Sequence, residues 1–246
     1  MFCDLVGSTA LSAELDSTLA TLALAEKGGY PADTANASAA QPHTRRDTMI
    51  TLYNMPLALN CYKVRLLLSL LSIEYQSKSI DLLQNEHKSP EFLELNPFGQ
   101  LPVLTAGDLV LRDSQAILVW LARKYGNENW MPRDPDQEAI VNAWLSAAAY
   151  EIRLGPYDAR LAKLFPWLCV NATQVKENTA RALDLYEGRL QGRMWLALDH
   201  PTVADVAAFP ALSQCGDGDV NLADYPNIRA WMTRVRSLPG FVDILD

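Results

Sequence analysis

The sequence predicts an α/β domain joined to an all-α domain, and three observations point there. Strand and helix signals alternate from Met49 to Tyr125 in the order βαβαββα, a polar segment containing Pro132 follows at 126–134, and beyond it only helical signals recur. At 246 residues the chain has room for two domains, and a hydrophobic content of 49% supplies their cores.

Charge and composition narrow the partners. A net charge of -8, with no basic run longer than Arg45-Arg46, argues against a nucleic-acid surface. The longest apolar segment, Val64 to Leu71, contains Arg65 and Ser69 and falls far short of the ~20 residues a bilayer requires, so no membrane partner is expected. No charged region precedes an apolar one at the N-terminus, as a secretory signal needs. Cys3, Cys61, Cys169 and Cys215 show neither CxxC nor zinc-ligand spacing, which implies reduced thiols, a cytoplasmic setting and no metal.

Residues 1 to 48 differ from the rest. Ala10 to Lys27 suits a helix, and Pro31 to Thr48 has linker composition. The octet Phe2-Cys3-Asp4-Leu5-Val6-Gly7-Ser8-Thr9 resembles the first strand of class III nucleotidyl cyclases, in which the aspartate, here Asp4, binds metal. The match ends near residue 16, whereas phosphoryl transfer needs a second carboxylate and groups that hold the nucleotide. The expectation is a leader or fusion fragment, poorly ordered and without cyclase activity, which a start at Met49 would remove.

The first domain, residues 49–125, then unfolds in order. Ile50 to Tyr53 is a strand, Met55 to Leu59 a loop with Pro56, and Asn60 to Ser72 a helix that Asn60 caps. Tyr75 to Ile80 is a second strand, and Ser89 to Leu95 a short helix with Pro90 in its first turn. In the run Asn96 to Ala116, Pro102 interrupts an apolar stretch and belongs at a strand start, with a cis bond as one reason. Val103 and Leu104 continue that strand, Gly107-Asp108 reverses the chain, and Leu109 to Leu111 runs back. Asp113 and Ser114 open a helix to Tyr125 and offer a capping oxygen beside free backbone donors, an arrangement suited to a small anionic ligand. The same spacing also fits an ordinary hairpin and capped helix. The whole reads as a thioredoxin-like domain with a mixed sheet.

The second domain, residues 135–246, follows the 126–134 linker. Asp134-Pro135 starts a helix to about Leu154, broken by Gly155-Pro156. Asn171 to Gln191 is a second, Thr202-Val203-Ala204-Asp205 opens a third with a capping box, and Pro226 starts a last one before Leu238-Pro239-Gly240.

Four motifs stand in order: Asn60-Cys61-Tyr62-Lys63-Val64-Arg65, Asn96-Pro97-Phe98-Gly99-Gln100-Leu101-Pro102-Val103-Leu104, Asp113-Ser114-Gln115-Ala116-Ile117 and Thr202-Val203-Ala204-Asp205. With them the chain from Met49 to Asp246 resembles a bacterial cytosolic glutathione transferase. The resemblance implies conjugation of the glutathione thiolate to a small hydrophobic electrophile, as in detoxification, by a homodimer. It implies that a cis Pro102 lets Leu101 meet the cysteinyl part of glutathione, that Asp113 and Ser114 receive the γ-glutamyl end, and that His87 and Lys88 contact the glycyl carboxylate, with Gln100 a further contact. The chemistry is consistent: a helix start favours a carboxylate and Asp113 an ammonium, and Lys88 a carboxylate. A solvated charged loop is the alternative for His87-Lys88.

The activating half departs from pattern. Free thiol with pKa ~8.5 is only a few per cent ionised at neutral pH, so the protein must stabilise the thiolate. The resemblance leads to the expectation of a Ser-Gly-Asn ahead of Cys-Tyr-Lys-Val, whereas this chain has Ala58-Leu59-Asn60 and lacks the serine hydroxyl. The candidate catalytic residues are Asn60, through its side-chain N–H, and Cys61, whose thiol at a helix start would support glutathione-dependent thiol reduction instead. Packing is the competing role for Cys61, as for Tyr53 and Tyr62. Electrophile-site candidates are Leu57, Leu59, Tyr150, Arg153 and Tyr157, with Trp167 nearby, all of which also suit a core. A module that binds glutathione without catalysis is the non-enzymatic alternative.

Overall fold

A computed structural model describes residues 49–166 and 170–246 of the chain. The expectations for residues 1–48, including the cyclase-like octet with Asp4, and for Trp167 lie outside the described residues.

The first half is a four-stranded mixed sheet with helices. Its elements are β1 (Ile50–Asn54), α1 (Leu59–Leu70), β2 (Tyr75–Ser79), a 3-10 turn (Glu86–Lys88), α2 (Pro90–Leu95), β3 (Val103–Ala106), β4 (Leu109–Arg112) and α3 (Ser114–Tyr125). The strands lie in the order β2-β1-β3-β4, with β1 parallel to β2 and antiparallel to β3, and β3 antiparallel to β4. This is the thioredoxin-like arrangement that the alternation of signals predicts. Ile50, Leu52 and Asn54 point to the buried face of β1, the period of two that a half-covered strand requires. Tyr53 points to the other face, edge-on to the Phe92 ring at 6.1 Å and beneath the Lys78 ammonium at 5.0 Å.

The helical half consists of α4 (Pro135–Ala149), a wide kinked turn (Arg153–Tyr157), α5 (Asp158–Leu164), α6 (Ala172–Leu190), α7 (Val203–Ser213), a 3-10 turn (Cys215–Gly218) and α8 (Pro226–Arg236). Short-range signals place most starts correctly. Ser89 caps α2, Asp134 caps α4 and Asn171 caps α6, each accepting a backbone N–H three residues on. Thr202 and Asp205 form the expected capping box of α7. Two readings need correction. The helix predicted to run to Leu154 ends at Ala149, and Gly155, at φ -105° and ψ -108°, does not stop the chain but redirects it into α5, which sequence signals did not reveal. At α1 the capping position is Ala58, not Asn60.

α7 is the centre of the helical half. Val203 to Leu212 is buried all round, as a helix apolar on every face must be, and it packs against α1 on one side and α4 on the other. Asp205 is buried there with four donors: Leu196 N at 3.0 Å, Trp231 Nε1 at 2.8 Å, Thr202 N at 2.9 Å and Thr202 Oγ1 at 3.3 Å. Burial pushes its carboxyl above the usual range, and those donors pull it back. No helix among the described residues is long and apolar enough to cross a membrane.

Candidate active site

Strand register brings three of the four predicted motifs to one edge of the sheet. Tyr53 pairs with Val103 and Val103 with Arg112, so the end of β1, the start of β3 and the end of β4 coincide. Asn54 pairs with Ser79, which puts the end of β2 there as well. Three segments adjoin this edge: the Met55–Ala58 turn leading into α1, the Leu101-Pro102 step, and Asp113 at the start of α3.

The Leu101-Pro102 peptide bond is cis. Pro102 is buried and Leu101 half-buried. The turn before them is held by Asn96, a role the sequence reading did not assign. Asn96 is buried, its Nδ2 donates to the Gln100 carbonyl at 2.8 Å, its Oδ1 accepts from Phe98 N at 3.1 Å, and its carbonyl accepts from Gly99 N at 2.8 Å. Gly99 takes φ +57°, and a Cβ there would lie 2.8 Å from the His87 carbonyl and 3.0 Å from Lys88 Nζ. The Lys88 ammonium therefore lies against this turn. His87 is a correction to the surface-loop alternative: at 1% exposure it belongs to the interior, and its backbone carbonyl lies against the Gly99 turn.

Asp113 caps α3, its Oδ1 accepting from Gln115 N at 2.9 Å and Ala116 N at 3.0 Å. It adopts φ +72°, uncommon for a non-glycine residue, while Ser114 beside it is buried. A carboxylate and a helix N-terminus thus stand together at the edge, able to meet an ammonium and a carboxylate on one ligand.

The turn entering α1 is fastened by two buried arginines that the sequence reading passed over. Arg65 Nη1 donates to Asn54 Oδ1 at 3.3 Å, and its Nη2 donates to the Pro56 carbonyl at 3.0 Å and to the Ile244 carbonyl at 2.5 Å. Arg160 on α5 donates through Nη1 to the Leu57 carbonyl at 3.4 Å and through Nε to Asp217 at 2.8 Å. The one available signal was a charge inside the apolar run of α1. Ala58 N donates to Met55 O and Tyr62 N to Ala58 O, so the helix starts before Asn60 and the Asn60 amide caps nothing. Leu59, Asn60 and Cys61 occupy the first turn, where backbone N–H groups have no intrahelical acceptor.

Cys61 does not meet the needs of a reactive thiol. It is 0% exposed, and burial pushes its thiol up to about 12, with the Met55 backbone N–H and the Arg65 charge pulling weakly the other way. The helix start is the right place for a low pKa, but desolvation outweighs the dipole. Tyr62 is likewise in the core, its hydroxyl donating to the Val242 carbonyl at 2.9 Å. Leu59, at 1% exposure, packs inside rather than at the mouth. Leu57 and Tyr150 are exposed, whereas Tyr157 is buried under the Arg153 guanidinium, 4.9 Å from its ring centroid, with Arg153 paired to Asp158.

Two family models match this chain. The glutathione S-transferase N-terminal domain covers residues 48–123 and the C-terminal domain residues 171–239. Glutathione S-transferase D7 of Anopheles gambiae is 33% identical over 190 residues, covering 75% of this chain and 85% of its own. The chain belongs to the glutathione S-transferase family. Among solved structures, a glutathione S-transferase from Pseudomonas fluorescens Pf-5 superposes with a TM-score of 0.74 at 30% identity, covering 81% of this chain and 100% of its own. A glutathione transferase homolog from Drosophila mojavensis, solved with bound glutathione, superposes with a TM-score of 0.72 at 26% identity over 78% of this chain and 89% of its own. These transferases come from insects and bacteria alike. The resemblance of the four motifs and the family assignment agree, and glutathione transfer is the activity this family carries.

Proposed function

We propose that the chain conjugates the thiolate of glutathione to small hydrophobic electrophiles, as a cytoplasmic homodimer of the bacterial cytosolic kind. The observation that supports this most is the convergence of Met55–Asn60, Leu101-Pro102 and Asp113-Ser114 at one sheet edge through the Tyr53, Val103 and Arg112 register. Glutathione is long and carries charge at both ends, so a holding site needs separated charged contacts around a central backbone contact. Asp113 and Ser114 take the γ-glutamyl end, Leu101 pairs with the cysteinyl backbone, and Gln100 and Lys88 take the glycyl carboxylate.

This arrangement directs the sulfur toward the first turn of α1. There Asn60 Nδ2 and the backbone N–H groups of that turn act as donors, aided by the dipole of a twelve-residue helix. Leu57 and Tyr150 line the electrophile mouth, and Arg153 closes its floor. Cys61 has no chemical role. The test is the thiolate absorbance of bound glutathione as pH is raised. Asn60→Ala should raise the bound thiol pKa by about one unit or more and lower kcat/KM by about tenfold or more, the loss of one charge-assisted hydrogen bond. Cys61→Ala should leave both within about twofold, since a small buried residue is exchanged for another. Unaltered thiol pKa in Asn60→Ala sinks the assignment, and abolished turnover in Cys61→Ala revives thiol reduction. For the dimer, the exposed groove between α3 and α4, lined by Ala116, Val119, Trp120 and Leu145, is the apolar face to be covered. Light scattering of the Trp120→Glu variant should report a monomer.

A further inference from the structure

A row of residues assigned to the electrophile site crosses the kink between α4 and α5. Tyr150, Arg153 and Tyr157 follow one another at spacings of three and four, and Arg160, three residues on, donates to the Leu57 carbonyl at 3.4 Å and so joins the row to the turn entering α1. Within the row the Arg153 guanidinium covers the Tyr157 ring, 4.9 Å from its centroid, and pairs with Asp158. The bend itself is held by α6. Gly155 is buried, and a Cβ there would lie 3.0 Å from the Asn178 carbonyl oxygen and 3.1 Å from Thr179 Cα, both backbone atoms of α6. A methyl group would push the turn and the helix apart by a few tenths of an ångström. Beside it Asn178 Nδ2 donates to the Leu154 carbonyl at 3.3 Å, while Asn178 Oδ1 accepts from Gln174 Nε2 at 3.1 Å and from Arg181 Nη2 at 3.2 Å, which fixes the amide.

We infer that Gly155 and Asn178 are positioning residues for the electrophile: through them α6 sets the bend of the Arg153–Tyr157 turn, and with it the placement of Tyr150, Arg153 and Tyr157. The inference rests on the electrophile site proposed above and adds to it two residues that touch neither substrate. Wide turns inserted between α-helical segments recur at functional sites. A group carried on the glutathione sulfur meets Leu57 and Tyr150 at the mouth when it is short, and extends to Arg153 on the floor when it is long. Packed side chains transmit a displacement instead of absorbing it, so moving the turn alters the fit of long groups and spares short ones and the glutathione contacts at the sheet edge.

The test is isothermal titration of the full chain with S-methylglutathione and S-octylglutathione, which place a short and a long apolar group on the same sulfur. The parent chain should favour the octyl probe by about tenfold or more, since its extra methylenes leave water. Gly155→Ala should cut that preference by about three- to tenfold, the scale of a sub-ångström misplacement, with the S-methylglutathione Kd within about twofold of the parent. Asn178→Asp, which keeps the volume and loses the donor to Leu154, should shift the preference the same way by a smaller factor, and it decides the matter if Gly155→Ala does not fold. Equal weakening toward both probes is what a merely structural role gives, and that result, or a preference unaltered in the variants, overturns the inference while the electrophile site stands. A parent chain that binds both probes alike overturns the electrophile site and the inference with it, and one that binds neither overturns the glutathione site.

Discussion

Arg65 joins the entrance of α1 to the C-terminal segment, and replacing it with methionine tests whether that clamp shapes the active site. Methionine keeps most of the apolar stem but none of the donors. The parent arginine is buried and serves three acceptors, of which the Ile244 contact at 2.5 Å and the Pro56 contact at 3.0 Å are the closer, and the Asn54 contact at 3.3 Å the weaker. Hydrogen bonds from a charged donor contribute about 1.5 to 3 kcal/mol each, and they are not additive within one guanidinium. Loss of all three, with two carbonyls left short of a donor, should destabilise the chain by about 3 to 5 kcal/mol. For a chain of this size that lowers the thermal midpoint by roughly 10 °C. Differential scanning calorimetry measures the stability term, and kcat/KM for a glutathione conjugation, taken well below the midpoint, measures the geometry. It should fall by about tenfold, since a misplacement on the scale of one ångström is enough. A midpoint within about 2 °C of the parent refutes the clamp. A lowered midpoint with unaltered kcat/KM refutes its link to catalysis.

Two further predictions concern buried charges. Asp205→Ala removes one acceptor from four donors and should cost about 3 to 5 kcal/mol by urea denaturation, with kcat/KM near parental below the transition, because the box lies in α7 and not at the sheet edge. A loss under about 1 kcal/mol would contradict that accounting. Lys63 gives a pH dependence. Its folded value, about 8, lies below the ordinary 10.5, so between those values the unfolded chain binds a proton that the folded chain does not, and stability gains from rising pH. The shift is worth about 3 kcal/mol against the fold at neutral pH. Urea titrations of Lys63→Met should therefore show a stability advantage over the parent of that order at pH 7, shrinking toward nothing near pH 10.5. A difference that stays flat with pH contradicts the buried charge.

How much was legible follows from the range of the forces involved. Periodicity, proline placement and capping act over a few residues, and those signals located the βαβαββα order, the Pro90, Pro135 and Pro226 starts and the Thr202-Asp205 box. Asn60 misled because it is a good capping residue two positions past the true cap at Ala58, and the Met55–Ala58 turn, closed by a backbone hydrogen bond, moved the start of α1 ahead of it. α5 was missed because a kink at Gly155 reads locally as a stop.

The sequence by itself determined the two-part architecture, the glutathione transferase resemblance and the motifs that tertiary structure gathers at one edge. Which of those residues are available for chemistry was decided only in three dimensions. Burial depends on what distant segments lay over a side chain: the C-terminal carbonyl of Ile244 reaches Arg65, and Arg160 reaches Leu57 across 103 residues of chain. Burial likewise makes Cys61 a core thiol instead of a nucleophile. Burial also turns Lys63, an unremarked lysine in a helix, into a desolvated charge, because desolvation is a property of the surroundings and not of the residue.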